Sequence, residues 1–471
     1  MKKSKYIIAI LGLLLFSSSC SDKFLALAPI SNMNEDNFFN TEADFRTAVD
    51  GAYKTLYDIY SPDGGVLSHT EQMADNCTLY HVANNSEEQF QLLNYTTLTN
   101  NGFVSSNWNT YYNSLFIINK IIDKLPGSSV SDNLKKQYEA EMRFLRATYY
   151  FNMVRLWGDV PLLIKPVTVA ESYSIARTPV AEVYTQIVSD LVFAEANLPI
   201  LSKIVRVGQA TKGAAQGMLG KVYATTGDAA NAKIYLKKVI DAGEYSLLPS
   251  YSQLWDLKHE NSVEALFEIQ FIRGVGKPGS RYWQAYCPDG KICYGGGQNP
   301  VIPSLWNEFE TNDVRRDLSI NQGYTDGGVY ITYAYPKKWT DVDAVVVGST
   351  RYGENNFIVL RYADVLLLYA ELTQDATYLN QVRRRAGVPE WGTAGYPTAK
   401  YPTLDLAIEH ERRVELSLEF QRWFDLKRTN RALTVISAIK GKTIASWQLL
   451  LPIPQTVIDQ NPNVIKQNPG Y

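Results

Sequence analysis

The 471-residue chain balances 46 Lys and Arg residues against 48 Asp and Glu residues, which gives a formal net charge of −2. Proteins that bind nucleic acid carry a basic excess, so this charge excludes nucleic acid as the expected partner. A chain of this length can bury roughly 75% of its unfolded surface, which allows one large domain or two to three smaller ones.

The N-terminus has the pattern of an export signal. Lysines precede an uncharged apolar run over residues 6–16, which is shorter than the roughly 20 residues needed to span a bilayer. Ser17 to Ser19 lead directly into Cys20, and this resembles a bacterial lipobox, in which the cysteine carries lipid such as palmitate after cleavage. We therefore predict a signal peptide over residues 1–19, lipid attachment at Cys20 and an extended tether over residues 20–40. The alternative is a plain secretory signal with an incidental cysteine.

Helical periodicity dominates residues 41–243. Thr41 with Asp44 three residues on is close to a capping box, and a further helix is predicted over residues 105–125. Thr178 is predicted as the N-cap of another helix, with Pro179 at its first position. The clearest helix is stopped by Gly158 and carries an apolar stripe down one face. The stripe consists of Leu134, Tyr138, Met142, Leu145, Tyr149, Met153 and Leu156.

Residues 211–243 match the pattern of a tetratricopeptide (TPR) helix pair. The match consists of Leu219, Gly220 and Tyr223 on the first helix and Ala232 and Leu236 on the second. The small residues at 220 and 232 predict that the two helices approach closely. A similar pair is predicted over residues 360–386, where Gly387 ends the second helix. Since helix pairs cannot bury their faces alone, we predict a mainly α scaffold of stacked pairs.

Residues 244–350 are rich in Gly, Tyr and Pro and contain short apolar runs at 265–271 and 344–348. They predict a loop-rich insert with a few short strands, and loops on a rigid scaffold are a frequent place for binding. Residues 351–471 are predicted as a C-terminal helical part, packed with the rest as one body.

The cysteines downstream of the signal allow two interpretations each. Cys287 and Cys293 flank a turn-rich loop, and in an exported protein they could form a small disulfide; two free thiols are the alternative. Cys77 and His81 stand four residues apart, but one such pair offers too few ligands for zinc. No metal and no cofactor is predicted.

Charged residues are dense over residues 409–428. Glu409 and Arg413 stand four apart and Arg412 and Glu415 three apart, the spacing of pairs that stabilise a helix. We interpret them as a structural ion network rather than as catalytic groups. The arginines at 383–385 lie at a predicted helix C-terminus, where cations favour the helix dipole.

Several of these segments together resemble the SusD/RagB family of outer-membrane nutrient-binding lipoproteins of Bacteroidetes. The resemblance covers the whole chain: the cysteine followed by Lys23, Phe24, Leu25 and Pro29, and the segments 140–162, 220–228, 360–372, 411–429 and 451–471. It implies a TPR-like helical body with an irregular ligand-binding half. It also implies a lipid-anchored protein, exposed at the outer-membrane surface, that captures glycans or peptides for a SusC-type TonB-dependent porin.

Loop aromatics are the predicted ligand-binding residues, because flat apolar rings stack on the C–H face of pyranose sugars while nearby polar groups bind hydroxyls. The predicted set is Tyr80, His81, Asn84, Arg281, Tyr282, Trp283, Tyr286 and Tyr294. For each ring the alternative is an ordinary partly buried aromatic. Trp108, Trp157 and Trp423 lie on strong helical patterns and are predicted in the core.

The sequence predicts a binding protein and no enzyme. It contains no G-x-S-x-G, P-loop or H-E-x-x-H motif. Two alternatives stay open: a non-catalytic TPR-like scaffold that binds protein at the outer membrane, and a glycoside hydrolase, which needs only two suitably spaced carboxylates.

Overall fold

In a computed structural model, the protein is described over residues 38–62, 65–80, 86–275, 277–288, 290, 292 and 295–471. The predicted signal peptide, the lipid site at Cys20 and most of the tether lie outside the described residues. The N-terminal helices are α1 (Glu42–Ile59), α2 (Val66–Met73), α3 (Glu87–Asn94), α4 (Gly102–Lys124), α5 (Asp132–Trp157), α6 (Val169–Ser172), α7 (Val180–Asn197), α8 (Lys212–Thr226) and α9 (Ala229–Ala242).

Helix α5 is the centre around which the N-terminal helices pack. The predicted stripe is buried from Tyr138 to Leu156, with Leu134 partly buried at its start. Residues on the other faces, such as Phe144 and Tyr150, are buried as well, because α1, α4, α7 and α8 surround the helix. The helix ends at Gly158, whose φ of 75° is the left-handed region that favours glycine. The predicted stripe therefore identified the helix correctly, but the helix is buried on more faces than the stripe covers.

The start of α1 confirms one predicted cap. Thr41 Oγ1 accepts from the backbone N–H of Asp44 over 3.2 Å, and Asp44 Oδ2 accepts from the N–H of Thr41 over 2.8 Å. The predicted cap of α7 is wrong. Thr178 instead pairs in an antiparallel bridge with Val160, and this bridge brings Asp159 alongside, where its Oδ1 accepts from Val180 N over 2.9 Å.

The predicted TPR pair is α8 and α9, which pack side by side. A Cβ atom placed on Gly220 would lie 2.5 Å from Leu236 Cδ2, so the absent side chain permits the close approach. Tyr223 stacks on Tyr235, with ring centroids 5.7 Å apart. Gly227, with a φ of 83°, ends α8, and Asp228 caps α9.

The C-terminal helices are α13 (Tyr362–Thr373), α14 (Ala376–Ala386), α15 (Leu404–Glu415), α16 (Arg422–Arg428), α17 (Ala432–Lys440) and α18 (Gln455–Gln460). They follow three short helices of the insert: α10 (Tyr282–Tyr286), α11 (Pro303–Trp306) and α12 (Val314–Ser319). Helices α13 and α14 form the second predicted pair, and α13 also packs on α9, which joins the two pairs.

The strands are short and pair in three two-stranded sheets among the described residues. They are β1 (Ala265–Ile269), β2 (Ile320–Asp326), β3 (Val329–Pro336), β4 (Val345–Val347), β5 (Thr350–Tyr352) and β6 (Phe357–Arg361). Strand β1 pairs antiparallel with β6, and both are buried throughout. Strands β2 and β3, and likewise β4 and β5, form antiparallel hairpins. The runs at 265–271 and 344–348 are therefore strands, as predicted.

One contiguous core joins the N-terminal, insert and C-terminal parts, and it includes Phe45, Phe267 and Val414. The three predicted core tryptophans, Trp108, Trp157 and Trp423, are all buried in it. Within the described part of the chain, no helix combines the length and apolarity needed to cross a membrane.

The charged run of α15 and α16 forms a network, and most of its ion pairs run between elements, although Arg428 pairs with Asp425 within α16. Glu409 pairs with Arg422 and Arg431, and Arg413 with Asp75 and Glu308. The predicted Glu409–Arg413 and Arg412–Glu415 pairs are therefore wrong. These side chains are largely buried, and the buried charges form ion pairs with residues of other elements.

Candidate functional site

A hairpin in the insert carries a cluster of tyrosines, two of which are partly exposed. Strands β2 and β3 join through Gly327 and Gly328, with φ of 56° and 83°, the two-residue turn that suits the twist of a hairpin. Because side chains alternate along a strand, Tyr324 and Tyr333 share one face, with ring centroids 6.3 Å apart. The buried Tyr335 lies behind Tyr333 at 6.3 Å.

Tyr80 completes this cluster from a distant part of the chain. Its ring is 48% exposed and lies 5.7 Å from that of Tyr333. Residues 300–301 hold the two segments together: Thr78 N donates to Pro300 O over 2.9 Å, and Val301 N donates to Ala334 O over 2.8 Å. We call Tyr80, Tyr324 and Tyr333 the tyrosine surface.

The described residues of the loop 281–298 adjoin the tyrosine surface at Gly297. The Tyr333 hydroxyl donates to Gly297 O over 3.4 Å. On the same loop Trp283 is half-buried, and the Arg351 guanidinium lies over its ring, 5.3 Å from the centroid. Arg281 is half-buried at the start of α10. The segment thus carries both Trp283, from the second predicted aromatic region, and Gly297, which bonds to Tyr333.

Two of the predicted ligand-binding tyrosines cannot present a ring to a ligand. Tyr282 is fully buried, stacked on Trp339 at 5.1 Å and on Phe357 at 5.3 Å, and Tyr286 is buried against Trp339. The reason is the turn of α10: residues 282 and 286 lie one helical turn apart on its inward face, and Trp283 lies outside that face. These two assignments are wrong.

The remaining predicted residues divide in two. Tyr80 is exposed, and Arg281 and Trp283 are partly buried. The role of these three residues in binding stays a prediction. His81, Asn84, Tyr294 and Cys293 lie outside the described residues. Cys287 is buried and disulfide-bonded, and its pairing with Cys293 stays a prediction.

Sequence reasoning missed Tyr324 and Tyr333, although a signal was present. The stretch 322–335 carries Tyr324 before a Gly-Gly pair and Tyr333 and Tyr335 at alternating positions after it, which is typical of a hairpin with an aromatic face. The contact of Tyr80 with this hairpin had no such signal, since it depends on the tertiary fold.

The tyrosine surface offers flat apolar faces with hydroxyls at their edges, a combination that suits the C–H faces and hydroxyl groups of sugar rings. Burial raises the pKa of Tyr335, so its hydroxyl stays protonated behind the surface. Among the described residues, no group of three or more His, Cys, Asp and Glu side chains is placed to hold a metal ion.

Two sequence models of one protein family match the chain. Residues 23–224 match a model described as "Starch-binding associating with outer membrane", and residues 268–471 match the "SusD family" model. The "SusD-like protein P2" of Formosa agariphila is 28% identical, and the match covers 99% of this chain and all of that one.

Solved structures share the fold. A "Laminarin binding SusD-like protein" is 26% identical with a TM-score of 0.80, and the match covers 92% of this chain and all of that one. "Surface glycan-binding protein A" of Bacteroides thetaiotaomicron, solved with laminarihexaose, is 24% identical with a TM-score of 0.77, over 91% of this chain and all of that one, and supports the fold alone. With both halves matched and the scaffold shared, the chain belongs to the SusD family, whose description associates it with the outer membrane.

Proposed function

We propose that this protein is a surface-exposed outer-membrane lipoprotein that binds an extracellular oligosaccharide or polysaccharide and delivers it to a SusC-type TonB-dependent porin. The observation that carries the proposal is the tyrosine surface, where the exposed Tyr80 meets the partly exposed Tyr333 and Tyr324 from a distant segment.

The ligand class is argued from ring chemistry and from one relative. Partly exposed aromatic faces suit a saccharide held by stacking and hydroxyl hydrogen bonds. The laminarin-binding relative, 26% identical over most of the chain, supports a glucan as the first glycan to test. The lipid at Cys20 and the porin partner rest on the N-terminal pattern and on the family resemblance.

The test compares laminarin binding by the full mature chain with that of Tyr333→Ala and Tyr80→Ala, by affinity gel electrophoresis and calorimetry. We expect each variant to lose about tenfold in affinity, equivalent to about 1.4 kcal/mol, because each ring stacks on the glycan. Tyr173→Ala serves as the matched control, since Tyr173 is exposed directly after α6 and contacts no residue of the tyrosine surface.

Three outcomes would contradict the proposal. Wild-type affinity in Tyr333→Ala, or an equal loss in Tyr173→Ala, would remove the tyrosine surface as the binding site. Absence of binding by the wild-type chain across a panel of glycans would favour the protein-binding scaffold. Release of reducing ends from the glycan would identify a hydrolase.

A further inference from the structure

A second concave site lies among the C-terminal helices. A cleft of about 450 Å³ opens between α15 and α17 and falls in the size range of small-ligand pockets, roughly 300 to 1,000 Å³. We call it the α15–α17 cleft. None of its lining residues belongs to the tyrosine surface or to the loop 281–298.

The two long walls of the cleft differ in character. Helix α17 contributes Val435, Ala438 and Ile439, with Ile439 41% exposed, so this wall is apolar and open to a ligand. Helix α15 contributes the polar wall, on which Glu409 and Arg413 lie one turn apart. A ligand that fits both walls needs an apolar face and a charged group.

The carboxylates that line the cleft are already bound by donors. Glu308 accepts from Lys400 over 2.9 Å, from Arg413 over 3.1 Å and from the Tyr401 hydroxyl, and His410 Nδ1 lies 3.0 Å from it. Burial favours its neutral form, but the hydrogen bond with His410 and the charge of Arg413 lower the pKa of Glu308, which stays ionised.

The other two carboxylates are occupied by guanidinium groups. Asp75 holds Arg422 through both oxygens, over 2.8 and 3.0 Å. The two oxygens of Glu409 accept from Arg422 over 3.3 Å and from Arg431 over 3.0 Å. Little acceptor capacity is therefore left in the cleft.

Donor capacity, in contrast, is left over. Four cationic side chains, from Lys400, Arg413, Arg422 and Arg431, face three carboxylates. Arg431 is 41% exposed and donates to Glu409 through Nε alone, so both terminal amino groups donate to no other described residue. Lys400 is 62% exposed and uses one of its three donors, on Glu308.

From this excess of donors we infer that the α15–α17 cleft binds an anionic saccharide unit, with Arg431 and Lys400 holding its carboxylate or sulfate group and α17 packing on its ring. The saccharide class rests on the proposed function. The anionic character of the ligand does not rest on the proposed function, because it follows from the donors and the occupied acceptors of the cleft. Charge-assisted hydrogen bonds to guanidinium are the strong ones, so Arg431 is the principal contact.

The experiment uses the full mature chain and four probes: trigalacturonic acid, a sulfated galactose disaccharide, neutral laminaritriose and triglutamate. Calorimetry and saturation-transfer NMR measure binding to wild type, Arg431→Gln and Lys400→Gln. The matched control is Arg384→Gln, since Arg384 is 65% exposed, pairs with Glu390 at the surface and lies outside the cleft.

We expect an acidic sugar to bind wild type and Arg384→Gln equally, and Arg431→Gln to lose about tenfold, with a smaller loss for Lys400→Gln. The uronate and the sulfated sugar show which oxyanion fits better. Tyr333→Ala should leave this binding unchanged, so failure of the tyrosine surface and failure of the cleft are distinguishable.

Three results would overturn the inference. Equal binding of laminaritriose at the cleft would show that charge is not recognised, and equal binding of triglutamate would identify an acidic peptide as the occupant. Unchanged affinity in Arg431→Gln, with the thermal unfolding of all variants matched to wild type, would place any acidic-sugar binding elsewhere.

Discussion

His69 shows how burial fixes the charge of one residue. It is fully buried in α2, where its Nδ1 lies 3.0 Å from Gly65 O and 3.2 Å from the Ser68 hydroxyl. Desolvation lowers its pKa to about 4, and the hydrogen bond to Gly65 opposes that shift only partly. The folded-state pKa is therefore below the ordinary value of about 6.5.

The stability that this implies is present above pH 6.5 and is lost as the pH falls towards 4, because only the unfolded chain then gains the proton. The loss amounts to about 3 kcal/mol when complete. We expect His69→Asn, which keeps a donor for Gly65 O, to flatten the pH dependence of the free energy of unfolding between pH 6.5 and 4, measured by urea titration.

The control for His69 is His259→Asn, at a side chain that is 37% exposed. The loss of stability between pH 6.5 and 4 that we assign to His69 should remain in His259→Asn. If His69→Asn and wild type show parallel curves across this range, His69 is not held neutral by the fold.

At the residue scale, the sequence could identify aromatic loops but not which rings reach the surface. Tyr282 and Trp283 are adjacent in a short helix, and only the core against which α10 packs decides that Tyr282 turns inward. Tyr80 is exposed and its predicted role in binding stays a prediction, and its contact with Tyr333 joins segments far apart in the chain, so no local pattern encodes such a contact.

The α8–α9 pair shows how one glycine sets the distance between two elements. Gly220→Ala would favour the helix by roughly 1 kcal/mol through propensity. Its new Cβ, however, would lie 2.5 Å from Leu236 Cγ and Cδ2, and overpacking of a core costs about 1 to 3 kcal/mol. We expect a net loss of stability in urea unfolding, and Leu236→Ala should cost less on the Gly220→Ala background than in wild type, because it also removes the clash.

Gly51→Ala is the matched control for this prediction. Gly51 lies inside α1, is exposed, and has no atom within 4 Å of an added Cβ. Propensity then acts alone, and we expect a gain of up to about 1 kcal/mol. A gain in both variants would show that α8 and α9 move apart at little cost.

At the element scale, the helices were predictable because their apolar residues recur with the helical period, as in α5 and the α8–α9 pair. The helix boundaries were less predictable. The start of α7, for example, is capped by Asp159, which the Val160–Thr178 bridge brings alongside. The pairing of β1 with β6 was not predictable at all, because the two strands come from the insert and the C-terminal part and carry no shared turn.

At the scale of the whole molecule, buried ion pairs connect the insert to the C-terminal helices. Arg361, at the end of β6, donates to Glu264 over 3.1 Å, to Glu419 over 2.8 and 2.9 Å, and to Glu415. All of these side chains are buried. The density of charge in the sequence indicated a network, but helical spacing could not show that its partners lie on other elements.

Replacing Arg361 tests how far this network holds the molecule together. Arg361→Met removes one guanidinium from among three buried carboxylates, and breaking a buried pair from one side costs about 3 to 5 kcal/mol. We expect that loss in the free energy of unfolding measured in urea. Because the site is buried, the loss should change little between low and high salt.

Two further variants separate charge from geometry in this network. Arg361→Lys keeps the charge but not the planar fork that reaches several carboxylates, so we expect an intermediate loss. Arg384→Met removes an exposed pair with Glu390 and should cost far less, because water screens that pair. Equal effects of Arg361→Met and Arg384→Met would mean that the buried network contributes nothing beyond a surface pair, and that apolar packing alone joins the insert to the C-terminal helices.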